Sequence, residues 1–193
     1  MQEQLSLTGI EPAPQLNDRL FLAILPDAIA AASIERQAQQ WRTEHGLAGK
    51  PLDTSRFHVT LFHIDDYVTL PPGVVDAVRK ASATLTMPSV DIAFDRVGSF
   101  SRKSGKAPFV LRGGEGTTAL MSFQQALGNA LMKAGVKHRS GTTFTPHVTL
   151  LYDDHEVPTH PVEPICWTSR EFVLIHSLLR KTQHLLLGRW PLI

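Results

Sequence analysis

Apolar and polar residues alternate along the chain with two different periods, and the switch between them marks out the elements. Arg19 to Leu25 is a nearly continuous apolar run ending at Pro26, which reads as a buried strand. Pro26-Asp27 then opens a helix with Ile29, Ala32, Ile34 and Trp41 as its apolar positions, stopped near Gly46. Arg56 to Ile64 is rich in β-branched and aromatic residues and predicts a second strand. Pro71-Pro72 starts a second helix that runs to about Leu85. Val90 to Val97 alternates as a half-buried strand does, and Ala107 to Arg112 reads as its partner across a Gly- and Ser-bearing loop. Leu120, Phe123, Leu127 and Leu131 space a third helix from Thr117 to Ala134. Phe144 to Tyr152 is again a strand, and Glu171 to Leu179 with His184 to Trp190 form a closing pair. The order is β-α-β-α-β-β-α-β-β-β. Few helices and short late connections favour an α+β fold with antiparallel sheet.

One word repeats. His58-Val59-Thr60-Leu61 and His147-Val148-Thr149-Leu150 are identical tetrapeptides, one in each half of the chain, and each follows a predicted helix. Side chains alternate faces along a strand, so each word presents an imidazole and a hydroxyl on one face and anchors itself with Val and Leu on the other. Two lobes facing each other would bring two imidazoles and two hydroxyls together. Such a set suits phosphodiester cleavage. One histidine takes a proton from the nucleophile and the other gives one to the departing oxygen, near neutral pH and without a metal. The hydroxyls donate hydrogen bonds to phosphoryl oxygens as charge develops there. A lone H-x-T in a strand is usually structural; the matched pair is what points to chemistry.

Composition narrows the picture without deciding it. The 193 residues suffice for one core, and 42% apolar with 19% charged residues is ordinary for a globular chain. A formal net charge of +1 leaves any basic, nucleic-acid-binding surface to be local. The single cysteine, Cys166, excludes an internal disulfide and reads as a small buried hydrophobe, consistent with a cytoplasmic protein. No segment is apolar enough to span a bilayer, and residues 1–18 read as a polar arm ahead of one domain covering 19–193. No cofactor or metal site is expected. His63, Asp65 and Asp66 are candidate ligands, but alternation puts His63 on the face opposite His58. Phe62 shares the His58 face in that scheme and is a candidate for base stacking, with core packing as the competing reading. Arg102, Lys103 and Lys106 are candidates for RNA phosphate contacts, or simply a solvated loop. His45, His138, His155, His160, His176 and His184 have no matching context and read as surface or structural.

The paired motifs resemble those of the two-histidine (2H) phosphoesterase superfamily, and within it the LigT-like group, also called the 2′-5′ RNA ligase family. Arg19-Leu20-Phe21 with Pro26, the two signatures, and the Trp190-Pro191-Leu192 ending carry the likeness over most of the chain. The resemblance implies a bilobal fold in which two antiparallel sheets flank a central cleft, with helices outside. It implies a site made of His58, Thr60, His147 and Thr149, with His147 as base and His58 as acid. The implied activity opens RNA or nucleotide 2′,3′-cyclic phosphates to 2′-phosphates in a monomer; ligation by the reverse chemistry, or a non-catalytic RNA-end-binding module, are the alternatives. Some members carry arginine at the fifth residue after the second motif histidine, where this chain has Tyr152. Arg56, Tyr152 and the 102–106 loop are therefore expected to share substrate binding.

Overall fold

The computed structural model describes residues 14–114, 117–137 and 143–193. Among the described residues eight strands and three α-helices follow one another as β1 (Asp18–Ile24), α1 (Ala28–Glu44), β2 (Val59–Tyr67), α2 (Pro72–Ala83), β3 (Val90–Ser99), β4 (Ala107–Arg112), α3 (Thr118–Lys133), β5 (His147–Asp153), β6 (His160–Ser169), β7 (Glu171–Leu178) and β8 (Gln183–Pro191). The helix ends are set by local chemistry. The Asp27 carboxylate accepts from the Ala30 N–H at 2.8 Å and caps α1. Gly46 and Gly135, both at positive φ, release the chain after α1 and α3. The buried stripe of α1 is Ala30, Ile34, Ala38 and Trp41, whereas Ile29 points to solvent.

The strands form a single sheet in the order β6-β3-β4-β5-β2-β1-β7-β8, every pair antiparallel. The expectation of two separate sheets is thus corrected. The two four-stranded halves are joined, through one step of ladder, Val59 on β2 opposite Val148 on β5. β6 had no counterpart in the sequence reading, because Pro161 and Pro164 break the strand signal; both are tolerated here because β6 is an edge strand. Of the expected N-terminal arm, only residues 14–18 fall within the described ones, and the chain is already tied to the sheet at Asn17, whose N–H donates to Tyr67 O at 2.9 Å. Cys166 is exposed on β6, not buried.

The main core joins residues of all three helices to one side of the sheet, with Leu20, Leu22, Ile24, Val59, Leu61, Phe62, Leu111, Val148 and Leu150 among its members. A smaller cluster of Phe21, Ala23, Val173 and Ile175 lies on the opposite side of β1 and β7. That second side carries the repeated motifs.

Candidate active site

Each motif histidine stands at the seam, immediately before the valine that makes the one joining pair. Their rings are fixed in the same way. Nδ1 of His58 lies 2.6 Å from Arg56 O, and Nδ1 of His147 lies 2.8 Å from Thr145 O. A carbonyl only accepts, so Nδ1 carries the hydrogen in both neutral rings and Nε2 keeps its lone pair for a reactant. Each ring also rests against a phenyl group with centroids 4.9 Å apart, His58 on Phe21 and His147 on Phe100. Register places the threonines on the same side: Thr60 is opposite Ala23, and Thr149 is opposite Val110.

The leucine of each word is an extra residue in its strand. In β2 the partners step from Thr60 opposite Ala23 to Phe62 opposite Leu22, leaving Leu61 unpaired; in β5 they step from Thr149 opposite Val110 to Leu151 opposite Phe109, leaving Leu150 unpaired. Such a bulge shifts every later side chain to the other face. Two expectations change as a result. Phe62 turns into the core, where its ring packs so closely on α3 that a Cβ at Gly128 would stand 2.8 Å from it. His63, predicted on the far face, comes to the side of Phe21 and the motif histidines, because it now lies opposite Phe21. It pairs there with Asp66 at 2.9 Å, while Arg19 grips the same carboxylate through two hydrogen bonds of 2.7 and 2.8 Å. Those contacts hold Asp66 down at about 2, Arg19 first among the causes. Tyr152 is the counterpart of His63 after the bulge in β5; it is exposed, lies opposite Pro108, and stands near Arg19.

The electrostatics favour the neutral form of both imidazoles. Burial is the main cause at each. It pushes His58 down to about 4, against the raising effect of the Arg56 carbonyl and with help from His184, His147 and the Arg56 charge. His147 is lowered as well, by burial and by Arg112. His184 belongs to the site although the sequence reading set it aside. Its ring is 5.3 Å from His58 and 5.6 Å from Phe21, and burial with the nearby Arg56 charge lowers it also. No local pattern marks it; it arrives through the pairing of Ser177 with His184 across β7 and β8. Phe21 and Arg112 enter by register in the same way, and Phe100, the residue after β3, is held by its N–H donating to Pro108 O at 3.0 Å.

Of the proposed binding residues, Arg56 is closest to the pair. Its carbonyl holds His58 and its charge is felt by both His58 and His184. The 102–106 loop sits at the β3–β4 turn, at the Pro108 and Tyr152 end of β4; Arg112, beside His147, is at the other end. There Lys106 is 3.8 Å from Asp154, and Arg102 Nη1 donates to Lys106 O at 3.4 Å.

A family model described as the 2′-5′ RNA ligase superfamily matches residues 26–178. The chain belongs to the 2′-5′ RNA ligase superfamily. Its fold agrees with that membership. It is similar to E. coli LigT, solved in complex with 3′-AMP, at TM-score 0.72 and 25% identity over 91% of this chain and 98% of that one. The apo form of E. coli LigT gives 0.71 and 25% over 92% and 99%. A protein of Thermus thermophilus shares the fold at TM-score 0.67 and 19% identity over 90% and 97%. No curated protein sequence matched. Both histidine words of this superfamily member fall inside the matched span, as do the bulges and the joining pair.

Proposed function

We propose that the protein hydrolyses 2′,3′-cyclic phosphate ends of RNA or of nucleotides to 2′-phosphates, using His58 and His147 as its proton-transfer pair. The observation that carries this reading is the matched orientation of the two imidazoles: both are pinned at Nδ1 and both leave Nε2 available, on either side of one joint. His147 takes a proton from water as the water oxygen bonds to phosphorus. The bond from phosphorus to the ribose 3′ oxygen breaks, and His58 delivers its proton to that oxygen. Thr60 and Thr149 donate to the equatorial oxygens, and Arg56 adds charge nearby. Tyr152 with Arg102, Lys103 and Lys106 would then contact the rest of a longer substrate. Neither proton transfer calls for a metal ion. Similarity to a LigT that accommodates 3′-AMP supports a nucleotide as the ligand.

The site's electrostatics add a condition. In the empty site His58 sits at about 4, so it serves as acid only when the phosphate anion brings its proton back. The test uses two substrates. On a cyclic nucleotide, turnover should survive EDTA, and His58→Ala and His147→Ala should each lose about 10²-fold or more. On a nitrophenyl phosphodiester, whose leaving group needs no acid, His58→Ala should recover and His147→Ala should not. Recovery of His147→Ala instead reverses the roles. Near wild-type turnover by both single variants on the cyclic nucleotide refutes the paired mechanism.

A further inference from the structure

We propose that the sheet face next to His147 holds a second phosphate, the 5′-phosphate of the same nucleotide whose cyclic phosphate is opened. The inference rests on the hydrolytic reading for what occupies the histidine pair. Three residues stand abreast on adjacent strands: Arg96 on β3 lies opposite Arg112 on β4, and Arg112 lies opposite His147 on β5. Directly opposed residues share a face, and neighbouring strands are about 4.8 Å apart. The stems of the two arginines therefore start roughly one and two strand spacings, about 5 and 10 Å, from that of the imidazole.

Arg112 is held in place. Its Nη2 donates to Thr159 Oγ1 at 2.8 Å, and its guanidinium carbon is 5.7 Å from the centre of the Phe100 ring, the ring that also touches His147. The contact with Thr159 depends on a glycine. A Cβ on Gly98 would come within 2.7 Å of both Thr159 Cα and Thr159 Oγ1, so any larger residue would push away the segment that steadies Arg112. Arg96 is looser, exposed and 4.0 Å from Asp95, whose carboxylate also accepts from Gly114 N–H at 2.8 Å; a phosphate can outcompete so long a pairing. One fixed and one mobile guanidinium beside a site for a phosphate monoanion make a seat for a second anion on the same molecule. A free cyclic nucleoside phosphate lacks that group, whereas the 3′-terminal nucleotide of an RNA carries it as the link to its neighbour.

The test compares a nucleoside 3′,5′-bisphosphate with the matching 3′-monophosphate by titration calorimetry at several salt concentrations. The wild type should bind the bisphosphate about tenfold or more tightly, the scale of one charge-assisted hydrogen bond. Arg96→Gln and Arg112→Gln should each lose most of that preference and flatten the salt dependence by roughly one in slope. Arg96 is solvent-exposed, so its variant remains informative if Arg112→Gln folds poorly. Equal affinity of the wild type for the two ligands overturns the proposal, as does a preference that survives both substitutions or is lost only in Arg102→Ala/Lys103→Ala. Turnover of a cyclic nucleotide with and without a 5′-phosphate is measured in parallel. Failure to turn over either removes the hydrolytic reading, while the calorimetric preference still decides this one.

Discussion

Replacing His58 by glutamine should flatten the loss of stability that the wild type suffers between about pH 7 and pH 5. In the unfolded chain this imidazole titrates near 6.5, and in the fold it is held at about 4. The folded state therefore binds fewer protons than the unfolded state throughout that window. A lowered imidazole costs nothing above the unfolded value, and its penalty grows as pH falls from 6.5 towards 4. Below that the penalty levels off at about 3 kcal/mol. At about pH 5 the same two values give roughly 2 kcal/mol. Both figures are ceilings, because the ring is half-buried and its open edge meets water. Urea denaturation of wild type and His58→Gln at the two pH values measures the difference. His45, His147 and His184, also lowered, remain in both proteins and cancel to first order. Parallel losses in wild type and variant would refute the argument, since they would mean that the folded protein protonates His58 as easily as the unfolded chain does.

Three further outcomes follow from the same geometry. Thr60→Ala and Thr149→Ala should each cost on the order of 2–4 kcal/mol in kcat/KM on a cyclic nucleotide, as for other lost donors to a developing oxyanion. Steady-state pH profiles should show the kcat/KM bell displaced to the acid side of about 6.5, because burial lowers both free imidazoles; the kcat bell should lie at higher pH, because the bound phosphate anion raises them. Phe62→Ala should destabilise the protein by about 3–5 kcal/mol in chemical denaturation, the cost of emptying a core site, while a base-stacking role would instead show as a loss of nucleotide affinity with stability retained.

Most elements could be read from the chain because their signals are local. The caps of α1, the glycine stops after α1 and α3, and the bounds of β4 at Ala107 and Arg112 all fall where turn chemistry and periodicity place them. β6 could not, because Pro161 and Pro164 are acceptable only on an edge, and edges are properties of the assembled sheet. The same limit applies within the site. Two identical words single out His58, Thr60, His147 and Thr149 as candidates. Strict alternation then misplaced Phe62 and His63, since nothing in His-Val-Thr-Leu says that the leucine will be skipped by the ladder. His184, Phe21 and Arg112 meet the histidines through register between strands distant in sequence, and Phe100 through the turn that follows β3, which one chain read end to end does not reveal.

The single Val59–Val148 step has a mechanical meaning as well. The ladder itself offers little resistance to rocking of two half-sheets that share one rung, so what holds their angle is the common core that spans both halves, and the rung is the natural axis. Displacement in a rotation grows with distance from the axis. The outer strands β6 and β8 would travel furthest, while His58 and His147, one residue from the rung, would hardly move apart. Any such rocking would leave the spacing of the two imidazoles nearly constant, as the leaves of a door swing without separating the hinge pins.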